Sequence, residues 1–168
     1  MRWWVVSVRS FPTCASCSAT QSNRNTSNRS RPWRRELAAR GIDARVSVAS
    51  AGIAPYARDG ALVSLDTRLA LREVGIDIGE EATSTDLKRH PEILDGADLI
   101  IAMTEQQARE LIEKFPGANG RIVHTLRSFT GTSGDINDPY EQGDVVFAQC
   151  REEINRLIPP LIDRLYDE

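Results

Sequence analysis

The chain contains 168 residues, of which 40% are hydrophobic and 27% are charged, and its formal net charge is −3. This length suits one domain with a well-formed core, and no apolar run approaches the ~18 residues that a membrane-spanning helix needs. The charge is uneven, because residues 1–35 contain seven Arg and no acid whereas residues 36–168 contain 14 basic and 24 acidic residues. We therefore expect one domain that does not cross a membrane, with an amino-terminal segment of different character.

The three cysteines are too few for a disulfide framework and indicate a reducing, cytoplasmic compartment. Cys14 and Cys17 form one Cys-x-x-Cys pair, but the chain has no second pair and only two histidines. We therefore expect no metal and no cofactor, and a redox pair stays open for these two cysteines. Cys150 is predicted to be a small core residue.

Hydrophobic periodicity and turn signals divide most of the chain into alternating strands and helices. Strands are predicted over residues 3–8, 45–49, 97–103 and 121–125. Helices are predicted over residues 32–40, 64–74, 84–94 and 105–115, and over 145–158 with a break at Pro159-Pro160 before the helix resumes. Residues 9–32 show no apolar periodicity, so nothing there specifies a helix.

Strands that alternate with helices, without hairpin signals, predict an α/β fold with a doubly wound, four-stranded parallel sheet. Ligands in such sheets bind beyond the carboxyl ends of the strands. The loops that follow the second and fourth strands carry Tyr56 and Tyr140, and the second of them also carries Asp138. These loops therefore predict a pocket at that end of the sheet.

Asp138 stands out because Pro139 follows it directly. Proline restricts its own φ and the backbone of the residue before it, so the Asp138 carboxyl group has a nearly fixed direction. A proton donor in catalysis needs such a fixed direction. Asp-Pro is also ordinary turn chemistry, and both readings stay open on these two residues alone.

Four segments, in order and at plausible spacing, resemble the low-molecular-weight protein tyrosine phosphatases and their arginine-phosphatase and arsenate-reductase relatives. They are Ser50-Ala51-Gly52, the stretch 71–77, the stretch 97–104, and Gly134 to Tyr140. The resemblance runs from about Trp33 to the carboxyl terminus, and it implies a three-layer α/β/α fold with a four-stranded parallel sheet, of the phosphotyrosine protein phosphatase I type.

The resemblance also implies a two-step hydrolysis through a cysteinyl-phosphate intermediate. A Cys thiolate would attack phosphorus, Asp138 would protonate the leaving group, and water would release phosphate. Tyr56 and Tyr140 would form the walls of the pocket, and Ser50 would support the phosphate loop.

The nucleophile loop of that chemistry needs a Cys, five residues and an Arg at the start of a helix, so that backbone N–H groups and a guanidinium hold the phosphate. The chain does not contain this spacing. Cys17 and Arg24 are the nearest pair, one residue too far apart, and residues 1–40 contain no Gly. Cys17 and Arg24 are therefore the candidate nucleophile and phosphate-binding residue of a site whose activity we expect to be impaired.

Three explanations compete for residues 1–32. The segment is a divergent loop that still uses Cys17 and Arg24, or a targeting extension rich in Arg and Ser, or a product of a shifted reading frame or mis-assigned start. We favour the third, because a coherent domain loses its pattern abruptly before Trp33. We accordingly divide the chain into an aberrant segment, 1–32, and a phosphatase-like domain, 33–168, with 3–8 as a possible first strand.

Two classes of function follow. The first is a phosphatase acting on phosphotyrosine or phosphoarginine, or a related arsenate reductase-like thiol enzyme. The second is an inactive domain that binds a phosphorylated partner. The substrate would be a phosphorylated protein or a small phosphoester, and we expect a monomer. We expect no nucleic-acid partner, because the basic segment has few interleaved aromatic residues, namely three Trp and one Phe.

Overall fold

The protein is described by a computed structural model that covers residues 4–10, 31–42, 45–55, 57–139 and 142–166. The strands are β1 (Trp4–Ser10), β2 (Val46–Gly52), β3 (Leu99–Ala102) and β4 (Ile122–Thr125). The helices are α1 (Arg31–Ala39), α2 (Leu65–Glu73), α3 (Glu105–Lys114), α4 (Leu126–Phe129) and α5 (Asp144–Tyr166). The predicted strands and most of the predicted helices are thereby confirmed.

The four strands form one sheet in the order β2-β1-β3-β4. β3 and β4 are parallel, but β1 is antiparallel to both of its neighbours, β2 and β3. The prediction of a wholly parallel sheet is therefore wrong at β1, although the α/β class holds. A central strand is buried on both faces whichever way it runs, so its apolar sequence predicts its burial and leaves its direction open.

Helices and loops cover both faces of the sheet, which gives three layers. On one face, Val6, Val8 and Ile101 pack with Trp33 and Leu37 of α1, and the same cluster includes Leu161 and Ile162 of α5. On the other face, Val5 and Ile100 pack with Leu111 of α3 and with Leu87 and Leu94. In the described part of the chain, no helix is long and apolar enough to cross a membrane.

Two helix predictions differ from the structure because of proline and local pairing. Residues 84–94 do not form the predicted α-helix: Asp86 pairs with Gly52 at the end of β2, and only Pro91–Ile93 form a short 3-10 turn. The Asp86 carboxylate also accepts the backbone N–H of Lys88 at 3.0 Å, which closes a local turn instead of a helix.

The second difference is α5, which continues through Pro159 and Pro160 where a break was predicted. The residues around these prolines, Ile158, Leu161 and Ile162, are buried in the core. Their packing offsets the backbone hydrogen bonds that the two prolines cannot make.

Candidate functional site

Three strands end at the same edge of the sheet, and we call the edge formed by Gly52, Ala102 and Thr125 the site edge. Ala102 pairs with Thr125 across β3 and β4. β1 runs the other way, so its first residue, Trp4, pairs with Gly52, while its last residue, Ser10, pairs with Val46 at the opposite edge. The loops that follow β2, β3 and β4 therefore meet at the site edge, and the chain that follows β1 leaves from the opposite edge.

Residues 130–139, here called the acid loop, attach to the start of α3. The Asp135 carboxylate accepts the backbone N–H of Glu105 at 2.9 Å, and the N–H of Ile136 donates to the carbonyl oxygen of Met103 at 2.9 Å. The Ile136 side chain is buried. A backbone bond, a helix cap and a buried side chain thus hold this loop against the site edge.

The start of α3 is stabilised by side chains of its own first turn. Thr104 and Gln107 form a capping box, in which the Thr104 hydroxyl accepts the N–H of Gln107 and the Gln107 amide oxygen accepts the N–H of Thr104. The same amide oxygen accepts the N–H of Met103 at 2.9 Å. The attachment point of the acid loop is therefore fixed by local side chains.

Asp138 lies near the end of the acid loop and is half-buried, with Pro139 buried behind it. The side-chain amide of Gln142 donates to the carbonyl oxygen of Asp138 at 2.6 Å. Farther back, the Arg127 guanidinium donates to the carbonyl oxygen of Ser133 at 3.1 Å. These two contacts to backbone carbonyl groups hold the loop on both sides of Asp138.

Cys150 of α5 lies beside the acid loop, where its thiol is 3.7 Å from the carbonyl oxygen of Asn137. Burial raises the pKa of the Cys150 thiol to about 11, and the negative charges of Glu153 and Asp138 act in the same direction. A thiol with that pKa stays protonated near neutral pH and is a poor nucleophile. The structure therefore confirms Cys150 as a buried core residue and speaks against it as a replacement nucleophile.

The loop after β2, residues 53–61, is the second element at the site edge, and we call it the β2 loop. Ile53 and Ala54 are buried, whereas Pro55 and residues 58–60 are exposed. The adjoining segment 84–90 holds this loop. The Ser84 hydroxyl donates to the carbonyl oxygen of Arg58 at 2.7 Å, and the N–H of Gly60 donates to the carbonyl oxygen of Ser84 at 2.9 Å. This loop is fastened mainly by polar contacts.

His90 lies between two carboxylates beside the β2 loop. Its Nδ1 is 3.0 Å from Glu92 and its Nε2 is 3.2 Å from Asp59. The hydrogen bond with Glu92, followed by that with Asp59, raises the pKa of His90. In turn, the hydrogen bonds from His90 and from the backbone of Asp86 lower the pKa of Asp59. A protonated His90 therefore joins the β2 loop to the 84–90 segment and the 3-10 turn that follows.

Of the site residues predicted from the sequence, Asp138 and Ser50 lie within the part of the chain that the structure describes. Ser50 is buried in β2, two residues before Gly52 at the site edge. The positions predicted for the nucleophile, the phosphate-binding Arg and the aromatic walls, namely Cys17, Arg24, Tyr56 and Tyr140, lie outside the described residues.

The sequence analysis missed Asp59, Lys88 and His90. The run Lys88-Arg89-His90 resembles an ordinary charged surface, and its contacts come from residues some 30 positions earlier in the chain, so no local signal identifies it. Within the described ranges, no group of three His, Cys, Asp or Glu side chains could hold a metal ion.

The comparisons of sequence and of structure with known proteins agree on one protein family. Residues 31–168 match the profile of the low molecular weight phosphotyrosine protein phosphatases. A protein-arginine-phosphatase of Geobacillus stearothermophilus is 35% identical over 124 residues, which cover 73% of this chain and 79% of that protein. The family match begins at the first residue of α1 and leaves residues 1–30 outside it.

Two solved structures share the fold over most of their length. The low molecular weight protein tyrosine phosphatase from T. tengcongensis superposes with a TM-score of 0.67 at 27% identity, covering 85% of this chain and 94% of that one. An arginine phosphatase from Geobacillus stearothermophilus superposes with a TM-score of 0.64 at 30% identity, covering 83% and 88%.

Proposed function

This chain belongs to the low molecular weight phosphotyrosine protein phosphatase family, and from that premise we propose that it hydrolyses phosphoarginine in proteins, with phosphotyrosine as the competing substrate. The observation that carries the choice is the 35% identity to a protein-arginine-phosphatase over 79% of that protein. The chain also has Glu141 directly after Tyr140, where some relatives carry a second aromatic residue, which weakens the case for an aryl substrate.

The proposed mechanism has two steps, and Asp138 acts in both. In the first step, a Cys thiolate attacks phosphorus, the S–P bond forms and the P–N bond breaks as Asp138 gives its proton to the leaving nitrogen. In the second step, the Asp138 carboxylate takes a proton from water, the water oxygen attacks phosphorus and the S–P bond breaks. Phosphate leaves, and the thiolate and the protonated Asp138 are restored.

The remaining roles stay proposals for the residues named from the sequence. Cys17 would be the nucleophile and Arg24 would hold the phosphate oxygens, while Tyr56 and Tyr140 would form the pocket walls. Ser50 would support the phosphate loop from β2. The anchored acid loop supports the role of Asp138. The hydrogen bond of the Asp135 carboxylate, the backbone hydrogen bond of Ile136 and the buried Ile136 side chain hold this loop at the site edge.

We propose further that the activity of this chain is weak. The spacing from Cys17 to Arg24 is one residue longer than the chemistry needs, and the family match excludes residues 1–30. A displacement of about 1 Å costs ~10²-fold in a reaction that depends on position.

The direction of β1 favours Cys17 over Cys14 as the proposed nucleophile. β1 ends at the edge opposite to the site, and its seven residues span roughly 23 Å at ~3.3 Å per residue. Cys14 comes four positions after Ser10 in the sequence, and four residues span at most ~14 Å, whereas the seven positions to Cys17 span ~25 Å when fully extended. Cys17 is thus the first cysteine with enough chain to return to the site edge.

The test is turnover of two peptides of identical sequence, one with phosphoarginine and one with phosphotyrosine, with and without vanadate. We expect vanadate-sensitive release of phosphate with kcat/KM for phosphoarginine higher by about tenfold or more. An equal rate, or a preference for phosphotyrosine, would overturn the substrate assignment. Tight binding of a phosphorylated peptide without any turnover, even after repair of the nucleophile loop, would favour the non-catalytic alternative.

A further inference from the structure

Lys88 makes three polar contacts that the proposed chemistry does not use. Its ammonium group donates to the carbonyl oxygens of Ala54 and Pro55, each at 3.0 Å. It also lies 3.5 Å from a carboxylate oxygen of Asp86, which is a buried side chain. Both carbonyl groups belong to the β2 loop, so one charged side chain from the 84–90 segment holds two consecutive residues of that loop.

Two of these contacts hold the loop where it passes from the buried Ala54 to the exposed Pro55. Ala54 is buried, but Pro55 and residues 58–60 are exposed and contribute little to the core. Hydrogen bonds from a charged donor are stronger than those between neutral groups, and Asp86 compensates the ammonium charge beside the sheet. Lys88 therefore supplies stabilisation that apolar packing does not provide there.

The 84–90 segment is itself fixed to the site edge. Gly52, the last residue of β2, pairs with Asp86. The N–H of Gly52 donates to the carbonyl oxygen of Thr85 at 2.8 Å, and the N–H of Leu87 donates to the carbonyl oxygen of Gly52 at 2.9 Å. The Leu87 side chain is fully buried. Lys88 thus extends from a rigid backbone next to the strand that carries Ser50, and it can transmit that rigidity to the β2 loop.

A second contact closes the far end of the same loop. Asp59 accepts the backbone N–H of Asp86 at 3.3 Å and lies 3.2 Å from His90. Lys88 holds the beginning of the loop at Ala54 and Pro55, and Asp59 holds it near its end. This arrangement is what a loop needs if it is to present a side chain to a ligand at a fixed distance.

We propose that Lys88 is a positioning residue for substrate binding: it fixes the β2 loop against the 84–90 segment and so sets the distance between that loop and the phosphorylated side chain of the substrate. The second half of this inference rests on the proposed function, because it requires a phosphoryl group bound at the site edge. The first half concerns the loop alone and can be tested without any activity.

The first measurement is amide hydrogen exchange followed by mass spectrometry on Lys88→Met. We expect the peptide that covers residues 54–60 to exchange faster by about tenfold or more, while β3 and β4 keep their protection. The matched control is Lys114→Met, since Lys114 pairs with Glu110 at the opposite end of α3. Lys88→Arg keeps the charge and the donors and should restore much of the protection.

The second measurement compares two probes on the same variants, phenylphosphonate and inorganic phosphate, by titration calorimetry. A displaced β2 loop should weaken phenylphosphonate by about three- to tenfold, the size of an aromatic contact, and leave inorganic phosphate nearly unchanged. Lys114→Met should change neither affinity.

Each result decides part of the inference. Unchanged exchange at residues 54–60, or an equal increase in β3 and β4, would overturn the local role of Lys88. Failure of both Lys88→Met and Lys88→Gln to fold would also overturn it, because Lys88 would then stabilise the whole fold. Faster exchange with unchanged phenylphosphonate affinity would overturn the positioning role. If neither probe binds the parent chain, the proposed function fails, and the exchange data still decide whether Lys88 holds the loop.

Discussion

The two loops at the site edge are held by different physical interactions. The acid loop is fixed by backbone hydrogen bonds, by the cap that Asp135 places on α3 and by the buried Ile136. The β2 loop is fixed largely by charged side chains, namely Lys88, Asp59 and His90. Only the second set contains a group whose charge changes near neutral pH.

This difference suits the tasks proposed for the two loops. A proton donor must keep one position through the reaction, and the backbone hydrogen bond of Ile136 and its buried side chain hold the acid loop without any change of charge. A loop that contacts the substrate affects binding through its distance from the ligand, and the charged contacts that hold the β2 loop depend on salt and pH. The comparison therefore predicts large catalytic effects at the acid loop and smaller, condition-dependent effects at the β2 loop.

The largest effect is expected at Asp138. Asp138→Asn should lower the rate of hydrolysis of an aryl phosphate with a poor leaving group by ~10²–10⁴-fold, because a general acid contributes that much. The loss should be far smaller for an activated aryl phosphate, whose leaving group needs no proton. The measurement is kcat for both substrates, on the repaired chain described below if the parent chain is too slow.

Asp135→Asn is the matched control for Asp138→Asn. It lies three residues earlier in the same loop, and asparagine keeps an oxygen that can accept the N–H of Glu105. We expect near-parental rates for Asp135→Asn. A rate for Asp138→Asn within a factor of two of the parent would remove Asp138 from the mechanism.

A smaller effect is expected at His90, and it depends on pH. The folded state raises the pKa of His90. Protonation of His90 therefore contributes fully to the free energy of unfolding below the unfolded pKa of ~6.5, and this contribution is lost as the pH rises through the folded value. The folded state lowers the pKa of Asp59 and Glu92, so their contribution is lost as the pH falls. His90→Gln should therefore destabilise the protein most at about pH 5.5, by less than ~1 kcal/mol.

Urea unfolding at about pH 5.5 and about pH 8.5 measures this effect as the difference between parent and His90→Gln. In a chain that already carries Asp59→Asn and Glu92→Gln, the pH dependence of that difference should disappear. An equal difference at both pH values in the parent background would show that His90 acts through packing rather than through its charge.

The element types were largely predictable because local signals specify them. The strand predicted over residues 97–103 contains β3, and the helix predicted over residues 105–115 contains α3, which begins after the capping box of Thr104. The direction of β1 was not predictable, since its valines are buried equally well in either direction. The helix predicted over 84–94 failed because Asp86 finds a partner in Gly52, and that contact is invisible in the local sequence.

The site was predictable to the extent that its residues carry their own local constraint. Asp138 has such a constraint in Pro139, and Ser50 belongs to a short motif at the end of a strand. Lys88 has none, because its partners, the carbonyl oxygens of Ala54 and Pro55, lie more than 30 residues earlier. Backbone carbonyl groups carry no sequence signal, so the side chains that bind them emerge only from the fold.

We propose that Asp138 and its anchored loop are the intact part of this phosphatase site, and that the spacing from Cys17 to Arg24 impairs the nucleophile side. The most direct test replaces residues 19–25 by a Cys, five loop residues that include a Gly, and an Arg, and compares kcat/KM of this repaired chain with that of the parent on the phosphoarginine peptide. We predict an increase of at least about 10²-fold, because the nucleophile and the phosphate-binding Arg would regain their spacing. The claim would be contradicted if the parent turned over the peptide as fast as the repaired chain and Cys17→Ser abolished that activity.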